Sequence, residues 1–408
     1  MADRFPDTQL SPALFDTRGE FARDLPLDLI RVWRLAGDQN PESARELLKS
    51  FRVTGTVVVS DSAGLTRLSR QREPLEVMAL INQPKEIVYE LGTAIGGRGL
   101  GVWTADNTET FYPAGVPCDR IAAMLLGAQD RIRCECEVQI GMAAHFDTYF
   151  LIGNSVYGKS AMDIETLAED RTAGGEIVLT PDTWQRVRHA GFEAVPRDSG
   201  DGYRLLNGPR FTCGEPGKLC GERYPLPFSR EFHDCLRDYS LHRSVEGLRE
   251  KIRAGLLRQR TILLVERQQA SHESPEMEIL NEMEQAAIAG ALGALLLGSM
   301  AGAEIKTAGA LSIYVFDNTQ QAWAFASRLR DRLRQEGIPI RGGIASGEVL
   351  LFNLEGGGKD IGGVPVNLAS KVAQDHGEFG SIYLLDELQG LREERIEIAG
   401  ALIPVWVS

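Results

Sequence analysis

The chain alternates between short apolar runs rich in β-branched residues and longer stretches whose apolar positions recur every three to four residues. These are the signatures of strands and of amphipathic helices. Two short runs are alike: TGTVVVSDSAGLT (54–66) and RQRTILLVERQQAS (258–271), each with an acidic residue near its end, Asp61 and Glu266. Further on, SVYGKSAMDIETLAEDRTAGGEIVL (155–179) matches DIGGVPVNLASKVAQDHGEFGSIYL (360–384), and both pairs lie 205 residues apart. Between them, GVWTADNTETFYP (101–113) corresponds to IKTAGALSIYVF (305–316) with a slip of about one residue, which a hairpin tolerates. A repeat at fixed spacing means one structural unit used twice.

Each copy reads strand, helix, strand pair, helix, strand, helix, strand. The expected helices are Leu75–Ile95 and Glu276–Met300, then Pro117–Leu126 and Gln320–Gln335, then Ser160–Glu169 and Val366–Gln374. A mixed sheet covered by helices follows in each copy, so the fold class is α+β. The expected parts are an N-terminal extension (1–49) with a helix from about Pro41 to Ser50, a first domain (50–206), a linker (207–258) and a second domain (259–408). The linker opens with a Gly-, Pro- and Cys-rich loop and continues as a charged amphipathic helix, about Arg230 to Gln259.

Composition narrows the function. A length of 408 residues with 43% hydrophobic and 25% charged residues suits two or three soluble domains. A net charge of −13 argues against a broad nucleic-acid surface, which needs a basic face. Ala286–Ala303 is a run of 18 residues without a charge, but its Ala and Gly content and bordering glutamates favour a core helix over a membrane span. With no apolar leader after Met1 and only six cysteines, a reducing cytoplasm is expected. Cys134 and Cys136 are expected on one strand face and Cys213 and Cys220 around a turn, without the paired spacing of a zinc site. The six histidines show no ligand spacing.

The candidate chemistry lies in the repeat. Asp61 ends a strand and leads into Ser62-Ala63-Gly64-Leu65-Thr66, a turn into a helix whose backbone N–H groups can cradle phosphate oxygens. Asp106 sits in a tight turn between two strands, and two carboxylates on neighbouring strand ends can hold two divalent cations. Both aspartates equally suit plain turn formers. Asn367 and Lys371, four apart, share a helix face and could position a ribose and neutralise a phosphoryl group. Lys306 and Asp360 are a donor and an acceptor for a purine edge.

Together these segments resemble the class III nucleotidyl cyclases. DIGGVPVNLASKV follows the signature Asp-Ile-x-Gly-x-x-Val-Asn-x-Ala-Ser-Arg, with Lys371 in place of arginine. SDSAGLT resembles the family's Asp-x-x-Gly-Phe-Thr metal turn, IKTAGA its Lys-Thr-Ile-Gly-Asp hairpin, and GGEIVL its Gly-Glu-Ile strand. The resemblance implies two ferredoxin-like cyclase domains packed as an intramolecular pseudo-dimer, with one composite site and one vestigial site. The first copy keeps Asp61 and Asp106 for two Mg²⁺ or Mn²⁺ ions but has Ser155, Met162 and Thr166 where the second has Asp360, Asn367 and Lys371. The second has Glu266 and Ala310 at the two metal positions. By resemblance, Lys306 and Asp360 read adenine, Ser62, Gly64, Leu65 and Thr66 hold phosphates, Asn367 orients the ribose, and Lys371 stabilises the α-phosphoryl transition state. ATP would be cyclised to 3′,5′-cyclic AMP with loss of pyrophosphate.

Other readings stand beside this one. Lys371, Gln139 (where an arginine is frequent) and Ala399 with Ala401 (where a Lys-Gly loop is usual) remove phosphate anchors, each charge-assisted bond being worth about 1.5–3 kcal/mol. A degenerate cyclase-fold protein that binds nucleotide or a partner in a regulatory role is therefore the alternative. The N-terminal extension and the linker helix are the surfaces expected to meet a regulatory protein or a second copy. GNSVYGKS (Gly153–Ser160) also matches a P-loop, which would make the chain an ATPase.

Overall fold

The computed structural model describes residues 26–65, 68, 71–101, 107–211, 230–241, 246–269, 272, 274–353, 359–398 and 401–408. Residues 48–245 form one unit, and residues 246–408 form the other, which the described N-terminal residues up to Leu47 join.

The chain opens with α1 (Leu27–Leu35) and α2 (Pro41–Leu48). The first unit then runs β1 (Arg52–Ser62), α3 (Pro74–Ala94), β2 (Arg98–Leu100), β3 (Thr108–Pro113), α4 (Cys118–Glu135), β4 (Ile140–Ile152), β5 (Ser155–Tyr157), α5 (Lys159–Arg171), β6 (Ile177–Leu179), α6 (Pro181–Val187), β7 (Glu193–Pro196), β8 (Tyr203–Asn207) and α7 (Arg230–Leu241). The second unit runs α8 (Glu246–Leu256), β9 (Leu257–Arg267), α9 (Pro275–Leu297), β10 (Ala303–Ala308), β11 (Leu311–Phe316), α10 (Thr319–Gln335), β12 (Ile340–Asn353), β13 (Lys359–Gly362), α11 (Val364–Lys371), β14 (Ile382–Leu384), β15 (Arg392–Ile398) and β16 (Ala401–Val407). A π-helical turn, Val372–His376, extends α11.

The two sheets have the same plan, β2-β3-β1-β4-β6-β8-β7 and β10-β11-β9-β12-β14-β16-β15, with β5 and β13 attached to β4 and β12. β1 and β9 are the antiparallel centres, and β6 and β14 pair in parallel with β4 and β12. Period 2 divides each central strand between two layers. Val57 and Val59 face α5 in one core with Ala161, Ile164 and Leu167, whereas Thr56 turns to the other side and meets Cys118 of α4. Ile262 and Leu264 face Ala369 and Ala373 in the equivalent core of the second unit.

Strand register fixes the repeat alignment. Asp61 lies opposite Gly141 and Glu266 opposite Arg341, so Asp61 and Glu266 are equivalent. Thr108 lies opposite Ser60 and Ser312 opposite Val265, so the third strands run one residue out of step with the first, as expected for a slip in the hairpin.

Several elements differ from expectation. α4 continues to Glu135, beyond Leu126, because Ala128 and Ile132 extend its buried stripe. Cys134 therefore lies in a helix and Cys136 just past it, not on a strand face, and Cys213 and Cys220 lie outside the described residues. The amphipathic stretch from Arg230 is not helical as far as Gln259: its described helical parts are α7, to Leu241, and α8, from Glu246 to Leu256, and residues 257–259 already belong to β9. The uncharged run from Ala286 is also divided, with α9 ending at Leu297 and β10 starting at Ala303. No described helix is long and apolar enough to cross a membrane.

The extension is built into the second unit. Trp33 of α1 is fully buried and donates from Nε1 to Oδ1 of Asn281 on α9 at 3.4 Å. Arg34 lies 3.8 Å from the buried carboxylate of Glu284. In the first unit α7 rests on α3, with His233 Nε2 3.0 Å from Oε1 of Glu86.

Candidate functional site

In the second unit, the two residues expected to read a base meet. Lys306 comes from the middle of β10 and Asp360 from β13, strands that are not paired with each other but lie in contact, and Nζ of Lys306 donates to Oδ2 of Asp360 at 3.3 Å. The Asp360 side chain is 2% exposed and that of Lys306 is 35% exposed, so the pair has a sealed acceptor and an open donor. Oδ1 of Asp360 accepts from the backbone N–H of Ile361 at 2.8 Å, which fixes the carboxylate plane.

Asn367 and Lys371 lie on α11, and Asn367 is half-buried. Gly363, with φ +133°, starts the helix, and a β-carbon at Gly343 of β12 would overlap the carbonyl oxygen of Ala369. That close approach holds the middle of α11 against the sheet. Lys371 Nζ lies 3.5 Å from Oδ2 of Asp375, one turn on.

In the first unit, Asp61 is half-buried at the end of β1 on the face of Val57 and Val59, and Ser62 points to the opposite face and is buried. The turn after it has the expected form: Gly64 takes φ +79°, Leu65 is helical, and Leu68 N–H donates to Gly64 O at 3.0 Å. Thr66 and Asp106 lie outside the described residues, so one of the two expected metal ligands and one phosphate ligand have no described position. Among the described residues no three His, Cys, Asp or Glu side chains gather around a metal position. Asp61 nevertheless offers the hard oxygen donor that Mg²⁺ or Mn²⁺ takes, and such ions need only one or two carboxylates when phosphate and water oxygens complete the shell.

The altered anchors have other uses. Gln139 Nε2 donates to the carbonyls of Cys136 at 3.1 Å and Ile132 at 3.4 Å, capping the end of α4. Ala401 opens β16 opposite Ile398, and Ala399 lies outside the described residues. In the first unit Ser155 is taken up in the β4–β5 hairpin opposite Ile152, and Met162 is 52% exposed.

The P-loop match does not have P-loop geometry. β5 folds back antiparallel on β4, Phe150 opposite Tyr157 through Ile152 opposite Ser155, so the segment is a hairpin and not a loop around phosphates. Lys159 is paired to Asp163 at 2.6 Å, and Ser160 is hydrogen-bonded to Asp147.

Three polar residues were not expected. Arg341 pairs with Glu266, Nη2 to Oε2 at 2.8 Å and Nε to Oε2 at 3.0 Å. Arg267, equivalent to Ser62, is 2% exposed and donates to Ser312 Oγ at 3.2 Å and to the Gly309 carbonyl. Burial lowers its pKa and raises those of the neighbouring Glu282 and Glu304. In the first unit, burial first, and then the charges of Glu165 and Glu169, push the Glu109 carboxyl up to about 8. The repeat spacing already set Ser62 against Arg267, whereas Gly141 and Arg341 lie off that spacing and only strand register aligns them.

No protein-family model and no curated protein sequence matches this chain. Solved structures do. A class III adenylyl cyclase-like ATP-binding protein from Pseudomonas aeruginosa is similar over 82% of this chain and 83% of its own, with 12% identity and a TM-score of 0.53. The chain has the class III nucleotidyl cyclase fold. That likeness spans more of the chain than one copy of the repeat, and the sheets and helices of both units carry the cyclase plan. A P. aeruginosa adenylyl cyclase is similar over 39% of this chain and 96% of its own, at 16% identity and a TM-score of 0.33. A guanylate cyclase domain from Catenaria anguillulae covers 38% of this chain and 93% of its own, at 19% identity and a TM-score of 0.31.

Proposed function

We propose that this cyclase-fold chain binds ATP and converts it to 3′,5′-cyclic AMP and pyrophosphate, using base- and ribose-binding residues of the second copy with metal ligands of the first. The observation that carries the reading is the Lys306–Asp360 pair, a buried acceptor beside an open donor at 3.3 Å. Adenine presents a ring nitrogen that accepts and an amino group that donates, so its edge can replace their mutual hydrogen bond with one to each. Guanine presents the opposite pattern and would leave both groups unpaired, a large penalty in a partly buried site.

Asn367 would hold the ribose and Lys371 the α-phosphoryl group, while Ser62, Gly64, Leu65 and Thr66 would cradle the remaining phosphates. Asp61 and Asp106 would hold two Mg²⁺ or Mn²⁺ ions, which in such chemistry neutralise phosphate charge and favour ionisation of the attacking hydroxyl. The ribose 3′-hydroxyl attacks the α-phosphorus, the bond to the bridging oxygen breaks, and pyrophosphate leaves. The protein's part is positioning and charge stabilisation. Lys371 lies 3.5 Å from Asp375 with N–H donors to spare, and its ammonium supplies a point charge instead of a bidentate fork.

That Lys371–Asp375 contact favours a second reading: ATP binding without turnover, serving regulation. Incubating the protein with ATP and Mn²⁺ and separating the products decides between them. Cyclic AMP supports the first reading, ATP binding without cyclic AMP the second, and GTP binding as tight as ATP binding refutes the base assignment in both.

A further inference from the structure

The second unit turns its metal-position carboxylate inward. Glu266 stands where the first unit has Asp61, and Arg341 stands directly opposite it where the first unit has Gly141. Arg341 does more than neutralise Glu266: its Nη1 donates to the carbonyl of Gly377 at 2.9 Å, and its guanidinium lies 4.8 Å from the centre of the Phe379 ring. Gly377 is the residue that follows the π-helical turn at the end of α11, so Arg341 joins the end of β9 to the end of the helix that bears Asn367 and Lys371.

The first unit shows what the arginine replaces. There the equivalent carbonyl belongs to Thr172, just past α5, and it sits so close to Gly141 that a β-carbon there would overlap it. Helix end and strand touch backbone to backbone, with no space for a side chain. In the second unit the last turn is π-helical, the wider i→i+5 form that recurs at functional sites, and a guanidinium occupies the interval between strand and carbonyl. Glu266 and Arg341 are 18% and 19% exposed, enough shielding for the pair to keep one geometry.

We propose that Glu266 and Arg341 are positioning residues: a lost metal position has become a strut that fixes the C-terminal end of α11 and so sets where Lys371 presents its charge. The inference rests on the function proposed above for Lys371, and deepens it. Glu266 orients the guanidinium, the guanidinium holds the Gly377 carbonyl, and the wide turn keeps its register. Displacing a catalytic group by about 1 Å can cost a hundredfold in rate, so a strut remote from the reacting atoms can govern turnover.

Hydrogen–deuterium exchange on the full-length protein without nucleotide tests the strut independently of activity. In Arg341→Ala, amides of 369–377 should exchange about tenfold faster while those of the central strand, 262–265, keep their protection. In turnover, kcat should fall about 10- to 100-fold with KM for ATP within about twofold. The charge-swapped pair Glu266→Arg/Arg341→Glu keeps an ion pair but puts an acceptor against the Gly377 carbonyl. It should restore thermal stability yet leave 369–377 unprotected, and Arg341→Lys should fall between wild type and alanine. Unchanged exchange over 369–377 in Arg341→Ala, or full protection in the swapped pair, overturns the proposal. A wild type that makes no cyclic AMP refutes the reading of Lys371 as catalytic, and the exchange result still decides whether the strut exists.

Discussion

Glu109 offers a test that needs no substrate. It lies on β3 opposite Val59, on the first unit's α5-facing layer, and the second unit has Ile313 opposite Leu264 at the corresponding position. Its Oε1 is sealed from solvent with no hydrogen bond in the structure, and Glu165 and Glu169 on α5 add negative charge nearby. Burial and those charges raise the carboxyl from 4.5 to about 8, so the native state keeps its proton across a range in which the unfolded chain has lost it. Since the native state binds more protons there, stability falls as pH rises from about 4.5 to about 8 and levels off beyond. The full displacement corresponds to about 5 kcal/mol as a ceiling, and about 2–3 kcal/mol is expected once partial solvent screening is allowed for. Glu109→Gln keeps the shape of the protonated acid and cannot ionise. Urea melts from pH 4.5 to 8.5 should show wild type and variant nearly equal at the acid end, with the variant progressively more stable towards pH 8.5. A constant difference across that range, or a variant that loses stability at high pH, would show that Glu109 is ionised or well solvated in the native protein.

Three further outcomes are expected. On the proposed function, Asp61→Ala and Lys371→Ala should each abolish nearly all cyclic AMP formation, with the double variant little worse than the poorer single, because residues that act as a unit are non-additive; additive losses refute that reading. Trp33→Ala should cost about 3–5 kcal/mol in denaturant melts, since it removes a fully buried indole from between α1 and α9, and a loss below about 1 kcal/mol would mean that α1 contributes little to the second unit. Gly343→Ala should force α11 off β12, costing about 1–3 kcal/mol and weakening ATP binding, whereas wild-type stability and affinity would contradict the close approach to Ala369.

The sequence by itself determined the architecture. Two copies of one alternating pattern require two sheets of one plan, because a period of two or of 3.6 leaves each segment one face to bury and few ways to bury it. It also marked the candidate chemistry on each copy, since an aspartate at a strand end and an Asn-x-x-x-Lys spacing are local features. Tertiary structure decided what depends on partners distant in the chain. Whether Lys306 meets Asp360 depends on strand pairing across 54 residues, and the closeness of that pair is a property of the sheet. GNSVYGKS reads as a phosphate loop until β5 pairs with β4, because the same glycines serve a hairpin equally well. The charged stretch from Arg230 kept a helical period past the point where β9 claimed residues 257–259, since ladder hydrogen bonds outweigh a weak local propensity. Glu266 reads as a failed metal ligand in isolation. Only register sets Arg341 opposite it, and only the packing of the helix end against β12 places the Gly377 carbonyl beside that guanidinium, because a carboxylate's role is set by the charge that the fold places beside it.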